Sequence, residues 1–249
     1  MSFRIKLLIL PAYFFLYSCD SGDGGAEGGE QGDATTQIKL GRPYDQDDGV
    51  AQDAPEGVKQ YRKAAEQGDA EAQFKLGQIY FHGDGVPKDA TEGVKWFRMA
   101  AEQGKPSAQY NLGICCLRGY GVAKNLTEAV KWFRKAADQG DAEGQYNLGV
   151  RYLQGEGVAK DATEGVKWFR MAAEQGNSEG QYNLGVCYAK GYGVAKDNVT
   201  AYKWINLAAG SGSKSAKSAK ELRGLLEKKM TAEKIAEARL LSRNWKPRP

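Results

Sequence analysis

Apolar residues between positions 70 and 213 fall at helical spacing, and they fall in the same places every 36 residues. Leu-Gly recurs at Leu40-Gly41, Leu76-Gly77, Leu112-Gly113, Leu148-Gly149 and Leu184-Gly185. Gly-Val begins at Gly49, Gly85, Gly121, Gly157 and Gly193, and Ala-Ala at Ala64, Ala100, Ala136, Ala172 and Ala208. Three series sharing one step, with no insertion, mark a supersecondary unit written five times.

Each unit reads as two helices. In the third, helix A is predicted over roughly 107–117, with Leu112, Gly113 and Cys116 at helical spacing. A helical Gly costs ~1 kcal/mol against Ala, so Gly113 is expected to admit a close neighbour. The loop Arg118–Val122 follows, where Gly119 and Gly121 can take positive φ. Helix B is expected after Asn125. Asp53, Asp89, Asn125 and Asp161 each precede a Glu by three residues, the pattern of a capping box, and Asp197 keeps only the cap. Val94, Phe97 and Ala101 share one face of helix B, with Trp96 beside them. Gly68, Gly104, Gly140, Gly176 and Gly212 are expected to close helix B.

Leu148-Gly149, Tyr152, Gly155, Gly157-Val158, Lys160-Asp161, Trp168, Ala172-Ala173 and Gln175-Gly176 together resemble the Sel1-like repeat family, a relative of tetratricopeptide repeats. The resemblance covers roughly residues 36–213. It implies an all-α fold, an α/α right-handed superhelical solenoid of 36-residue repeats, and a role in binding other proteins. The first unit departs from the pattern at Pro43 and Gln60 and looks like a degraded capping repeat.

The resemblance also implies where a ligand would sit. In tetratricopeptide-like superhelices helix A lines the concave groove, and the residues just before Leu-Gly face inward. Here those are Phe74-Lys75, Tyr110-Asn111, Tyr146-Asn147 and Tyr182-Asn183. Asn offers a donor and an acceptor to a peptide backbone, and Tyr offers rigid amphipathic area. These eight residues form the expected ligand-binding ladder for an extended segment or a helix.

The N-terminus carries a different message. Arg4 and Lys6 precede the apolar run Leu7–Tyr17, which is shorter than the ~20 residues a spanning helix needs. Residues 1–18 read as a signal peptide. Leu16-Tyr17-Ser18-Cys19 resembles a bacterial lipobox, which implies lipidation of Cys19 and cleavage before it. Residues 19–35 are Gly- and Asp-rich without a large apolar side chain, a flexible tether. The expected location is the bacterial cell envelope, on the periplasmic face of the inner membrane or at the outer membrane, with the membrane reached through the lipid on Cys19.

Beyond the repeats, residues 214–249 hold 11 bases and 4 acids, a basic helical cap. Leu222, Leu225, Leu226, Ile235, Ala238 and Leu241 predict two helices there, the second capped by Thr231. The whole chain has a net charge of only +4, too little for a dedicated nucleic-acid binder, so no nucleic acid is expected.

Chemistry is sparse. One histidine, His82, and four cysteines leave little for a zinc site or a His-based triad. Cys115, Cys116 and Cys187 are expected to be buried free thiols. Ser211-Gly212-Ser213-Lys214 matches SxxK without its accompanying motifs. Asp45, Asp47 and Asp48 lack the Gly that an EF-hand needs at its sixth position. The expected protein is a monomeric, lipid-anchored scaffold that binds a protein or peptide, is no enzyme and carries no cofactor or metal. The competing readings are a cell-wall hydrolase or β-lactamase-type enzyme and a secreted effector that binds host proteins.

Overall fold

The structure, a computed structural model, describes residues 54–248, which hold eleven α-helices and, among these residues, no β-strand. The signal peptide, Cys19, the tether, Pro43, Asp53 and helix A of the first unit lie outside the described residues. None of the described helices is long and apolar enough to cross a membrane.

The described chain forms two compact units, residues 54–136 and 137–248. The first contains α1 (Ala54–Glu66), α2 (Ala70–His82), α3 (Ala90–Glu102), α4 (Pro106–Arg118) and most of α5 (Leu126–Asp138). The second contains α6 (Ala142–Gln154), α7 (Ala162–Glu174), α8 (Ser178–Lys190), α9 (Asn198–Gly210), α10 (Ala216–Glu227) and α11 (Ala232–Arg243). Even-numbered helices α2 to α8 are the A helices and odd-numbered α1 to α9 the B helices.

Helix A starts on its own cap. Asp69, Asp141 and Asn177 accept from the amides of Ala72, Gly144 and Gly180 at 2.8, 2.6 and 2.7 Å. At the same position α4 has Lys105, which gives no side-chain cap, and Pro106 follows at the first helical residue, where no amide is needed. Each helix A ends on a left-handed glycine, Gly83, Gly119, Gly155 or Gly191. Gly85, Gly121, Gly157 and Gly193 supply the second positive φ of the loop, as the sequence predicts.

The glycine inside helix A makes the A–B contact possible. A Cβ on Gly77 would lie 2.6 Å from the Phe97 ring, and one on Gly149 would lie 2.8 Å from the Phe169 ring. The fifth repeat keeps the contact with a different partner, since Gly185 faces Ile205 at 2.6 Å. Phe97, Phe133 and Phe169 are fully buried, as are the alanines at 64, 100, 136, 172 and 208. Val94, Ala101 and Trp96 join that face.

The caps of helix B depart in one respect from the box expected from sequence. Asp89, Asn125 and Asp161 each accept from the amide three residues on, at 3.0 Å. The reciprocal half of the box is absent, because each cap's own amide is already taken. It donates back to the end of helix A, Asp89 to Tyr80 at 2.8 Å, Asn125 to Cys116 at 2.8 Å and Asp161 to Tyr152 at 2.9 Å. The acids turn forward instead: Glu92 and Glu164 meet Lys95 and Lys167 at 2.9 Å, and Glu128 accepts from Trp132 Nε1 at 2.8 Å.

Two C-terminal expectations also change. Gly68, Gly104, Gly140 and Gly176 close helix B at φ near +90°, but Gly212 does not. No further helix A follows it, and Ser211 ends α9 in extended conformation, with its hydroxyl donating to the Ala208 carbonyl at 2.7 Å. In the cap, Leu222, Leu226 and Ala238 are buried, whereas Leu241 is 43% exposed. Ser242 takes the inward place, donating to Ala238 O at 2.8 Å and to Lys203 O at 3.3 Å. The tail then returns to the repeats: Trp245 stacks edge-on against Trp204, and the Arg248 amide reaches Glu174 O at 2.8 Å.

Candidate functional site

The A helices carry the residues that the sequence singles out, and their environment is mostly interior. Phe74, Tyr110, Tyr146 and Tyr182 are each at most 4% exposed. Their rings pack within the repeat, Phe74 on Phe97 at 5.8 Å, Tyr110 on Phe133 at 6.2 Å and Tyr146 on Phe169 at 6.1 Å. Asn111, Asn147 and Asn183 are buried as well, while Lys75 is half-buried. Asn147 and Asn183 donate to the carbonyls of Glu143 and Glu179, four residues back in their own helices, at 2.9 and 3.0 Å. The Tyr-Asn pairs thus form a buried layer, where the sequence suggests an open ladder. The reason is geometric: the Leu-Gly step that follows them draws helix B close, and helix B's Phe, or Ile205 in the fifth repeat, packs against the ring.

Neighbouring repeats are braced beneath that layer by glutamines. Gln103 Nε2 donates to Gly68 O and to Gln73 Oε1 at 2.8 and 2.7 Å. Gln175 repeats both bonds to Gly140 O and Gln145 Oε1 at 2.8 Å. Gln73 and Gln145 in turn donate to the carbonyls of Ala65 and Ala137 at 3.1 and 3.3 Å. Gln73 and Gln145 are buried, and all four glutamines are hydrogen-bonded, so they specify register between repeats.

The polar groups that do reach the surface of helix A stand one turn earlier. Glu71, Ser107, Glu143 and Glu179 occupy one repeat position, and none is fully buried. Glu71 forms an ion pair with Lys105, the residue before α4, and the Lys105 ammonium lies 5.2 Å from the centre of the Phe74 ring. The same place in the second unit is built differently. Asn177 stands where Lys105 would be and gives Glu143 Oε1 a neutral amide bond at 2.7 Å.

That change leaves a strained electrostatic site. Burial pushes the Glu143 carboxyl up to about 7, with the Glu179 and Asp141 carboxylates adding to it and the Asn177 bond opposing it. Burial also raises Glu179 and Asp141, and Lys214 offsets only part of the effect at Glu179. The Tyr146 phenol is raised by burial, then by Glu179 and Glu143. Asn183 is near enough to act on that hydroxyl, but the geometry falls short of a hydrogen bond, so Tyr146 Oη and Asn183 Oδ1 have none. Sequence reasoning passed over Glu143 and Glu179 because acids in a first helical turn are ordinary. The signal was available: two 36-residue steps apart, position 105 is Lys and position 177 is Asn.

The thiols are inert in character. Cys115, Cys116 and Cys187 are free and buried, and burial pushes Cys115 and Cys187 up to about 12. Cys116 replaces the tyrosine that Arg62 and Arg170 meet at Tyr80 and Tyr188, and Arg98 turns to Glu128 at 3.8 Å. Among the described residues no group of His, Cys, Asp and Glu is arranged to hold a metal ion.

This architecture has counterparts. The Sel1 repeat pattern matches residues 34–69, 70–105, 106–141, 142–177 and 178–213, so the first unit is included despite Pro43 and Gln60. The crystal structure of a Sel1 repeat protein from Oxalobacter formigenes is similar, with 35% identity over 87% of this chain and 88% of that chain, at a TM-score of 0.71. A protective antigen present in uropathogenic Escherichia coli strains, displaying an SLR fold, shares 34% identity over 86% of this chain and 53% of its own, at a TM-score of 0.57. No curated protein matches. With five contiguous repeats on the family pattern, and with Gly77, Gly113, Gly149 and Gly185 serving the same contact in the four described A helices, this chain belongs to the Sel1 repeat family.

Proposed function

We propose that this chain is an exported, lipid-anchored scaffold that binds a protein or peptide along the helix-A faces of its repeats. The observation that carries the reading is a division of labour. Every described helix B spends its apolar face on the repeat core, while helix A offers partly buried polar groups at one repeat position, Glu71, Ser107, Glu143 and Glu179, with Lys75 and Gln78 beside the first. Within residues 137–248, a partner lying across the repeats would meet Glu143 and then Glu179. In this reading Phe74, Tyr110, Tyr146 and Tyr182, with Asn111, Asn147 and Asn183, shape the floor, and the acids one turn earlier make the contact. The N-terminal sequence supports envelope anchoring through Cys19, with residues 19–35 as the tether, and the scaffold works as a monomer without catalysis.

Two experiments test this. A photo-crosslinking amino acid placed at Gln78 or Lys75 in the native host is expected to yield one discrete protein adduct, and the same probe at Lys95 or Lys167 on exposed helix B none. Equal adducts from both faces would discard the helix-A assignment. Metabolic labelling with a fatty-acid analogue is expected to mark the wild-type chain and not Cys19→Ser; an unlabelled wild type would remove the anchor and leave the scaffold reading in place.

A further inference from the structure

The helix-A position just described is filled in one place by the protein's own cation and in the equivalent place is not. At Glu71 the residue just before α4 is Lys105, whose ammonium pairs with the carboxylate and lies over the Phe74 ring. Two repeats on, the acid and the ring are kept, as Glu143 and Tyr146, and the lysine is replaced by Asn177. Glu143 there has a neutral amide for a partner, and Glu179 of the next repeat acts on it as a second carboxylate. Two further acceptors or donors sit unsatisfied beside them. Tyr146 is 4% exposed and its hydroxyl has no hydrogen bond, and Asn183 is 1% exposed with Oδ1 likewise unbonded. Buried polar atoms are normally paired, so two unbonded buried oxygens beside a carboxylate that meets only a neutral amide point to something that donates hydrogen bonds and carries positive charge.

We propose that Glu143, Glu179, Tyr146 and Asn183 form a receptor for one cationic side chain, a guanidinium or ammonium group, presented by the partner polypeptide. The proposal rests on the scaffold reading above and names what its partner must carry. The incoming group would take the place Lys105 holds at Glu71, with its charge between the two carboxylates and its face or methylenes on the Tyr146 ring. The Tyr146 hydroxyl and Asn183 Oδ1 would gain partners from it. Glu143 and Glu179 are half-buried, which leaves a side chain a way in. The charged groups acting around the site are Asp141, Arg151 and Lys214; Lys214 acts on Glu179, and burial still dominates there. Cation binding should therefore be proton-linked: with Glu143 at about 7, binding weakens as pH falls from 8 to 5.5.

The test uses the full chain and a tetra-arginine peptide, read by calorimetry and by the carboxyl carbon resonance of Glu143. The peptide is expected to bind at pH 8, to move that resonance to saturation and to lower the pH at which it titrates. Asn177→Lys restores the built-in cation of the Lys105 type and should fill the site. It is expected to cost the peptide about tenfold or more in affinity, while the new ion pair offsets part of the stability lost with the Asn177 cap on the Gly180 amide. The pair Glu143→Gln with Glu179→Gln should lose binding to a similar extent, with circular dichroism confirming the fold. Equal affinity for wild type and Asn177→Lys would place the peptide on other acidic surface and overturn the proposal, as would a Glu143 resonance that stays still at saturating peptide. A helix-A crosslinked partner whose capture is untouched by Asn177→Lys would sink this site and spare the scaffold reading; peptide binding at Glu143 with no helix-A adduct in the host would do the reverse.

Discussion

Gly121 lies against the first turn of the preceding repeat's helix B so closely that a Cβ built on it would overlap the carbonyl of Ala90. Its φ of +63° adds a conformational demand that only glycine meets cheaply. Gly104 has a more positive φ, +93°, and nothing within 4 Å of such a Cβ. The pair separates strain from contact. Gly104→Ala should cost about 1 kcal/mol, the left-handed penalty alone, whereas Gly121→Ala should cost about 2–4 kcal/mol because backbone has to move. Urea melts of the two variants check this, and equal losses would mean that the inter-repeat contact carries little.

The half-formed capping box gives a second contrast. Asp161 caps α7 by accepting from the Glu164 amide at 3.0 Å, while Glu164 itself pairs with exposed Lys167. Asp161→Ala should therefore cost about 1 kcal/mol, and Glu164→Ala no more than about 0.5 kcal/mol. A complete box would make the two losses similar, which thermal melts can distinguish.

The fold was legible because its evidence is redundant. A helical glycine such as Gly149 is costly by itself, and it becomes informative when Gly77, Gly113 and Gly185 repeat it in register. The candidate site was harder to read. The Tyr146-Asn147 pair has the chemistry of a recognition surface, yet its fate is decided by Phe169, twenty-odd residues away and brought in by Gly149. Glu143 shows the opposite error. It reads as an ordinary first-turn acid, and its character comes from burial, from Glu179 and from Asn177, each contributed by another turn or another repeat. Leu241 fails for a local reason, since α11 packs along Ala238 and Ser242 and turns Leu241 outward.

Stability should depend on pH through Glu143. Its carboxyl is near 7 in the folded chain against an ordinary 4.5. The folded state thus holds a proton that the unfolded state has released between those values, and stability falls as pH rises from about 4.5 to 7. A shift of this size corresponds to about 3 kcal/mol. Glu143→Gln cannot ionise, so it should match wild type near pH 4.5 and exceed it by that order at pH 8. Denaturant midpoints of both proteins at the two pH values decide the matter; parallel pH profiles would show that Glu143 is not the source.

The three asparagines of the A helices supply the last test. Asn147 and Asn183 are buried and spend their amide protons on carbonyls within their own helices, and Asn111 is 2% exposed at the same repeat position. Replacing all three with Ala removes two such hydrogen bonds and leaves small voids, at about 1 kcal/mol per site, partly offset by the higher helix propensity of Ala. Tm should fall first, and capture of a helix-A partner should decline only in step with the unfolded fraction. If these side chains instead turn toward a ligand, the triple variant would melt like wild type and bind about 30-fold or more weakly, at the usual worth of a hydrogen bond. Melting and crosslinking measured on the same variant distinguish the two, and a stable variant with lost binding would return the asparagines from the floor of the site to its contact layer.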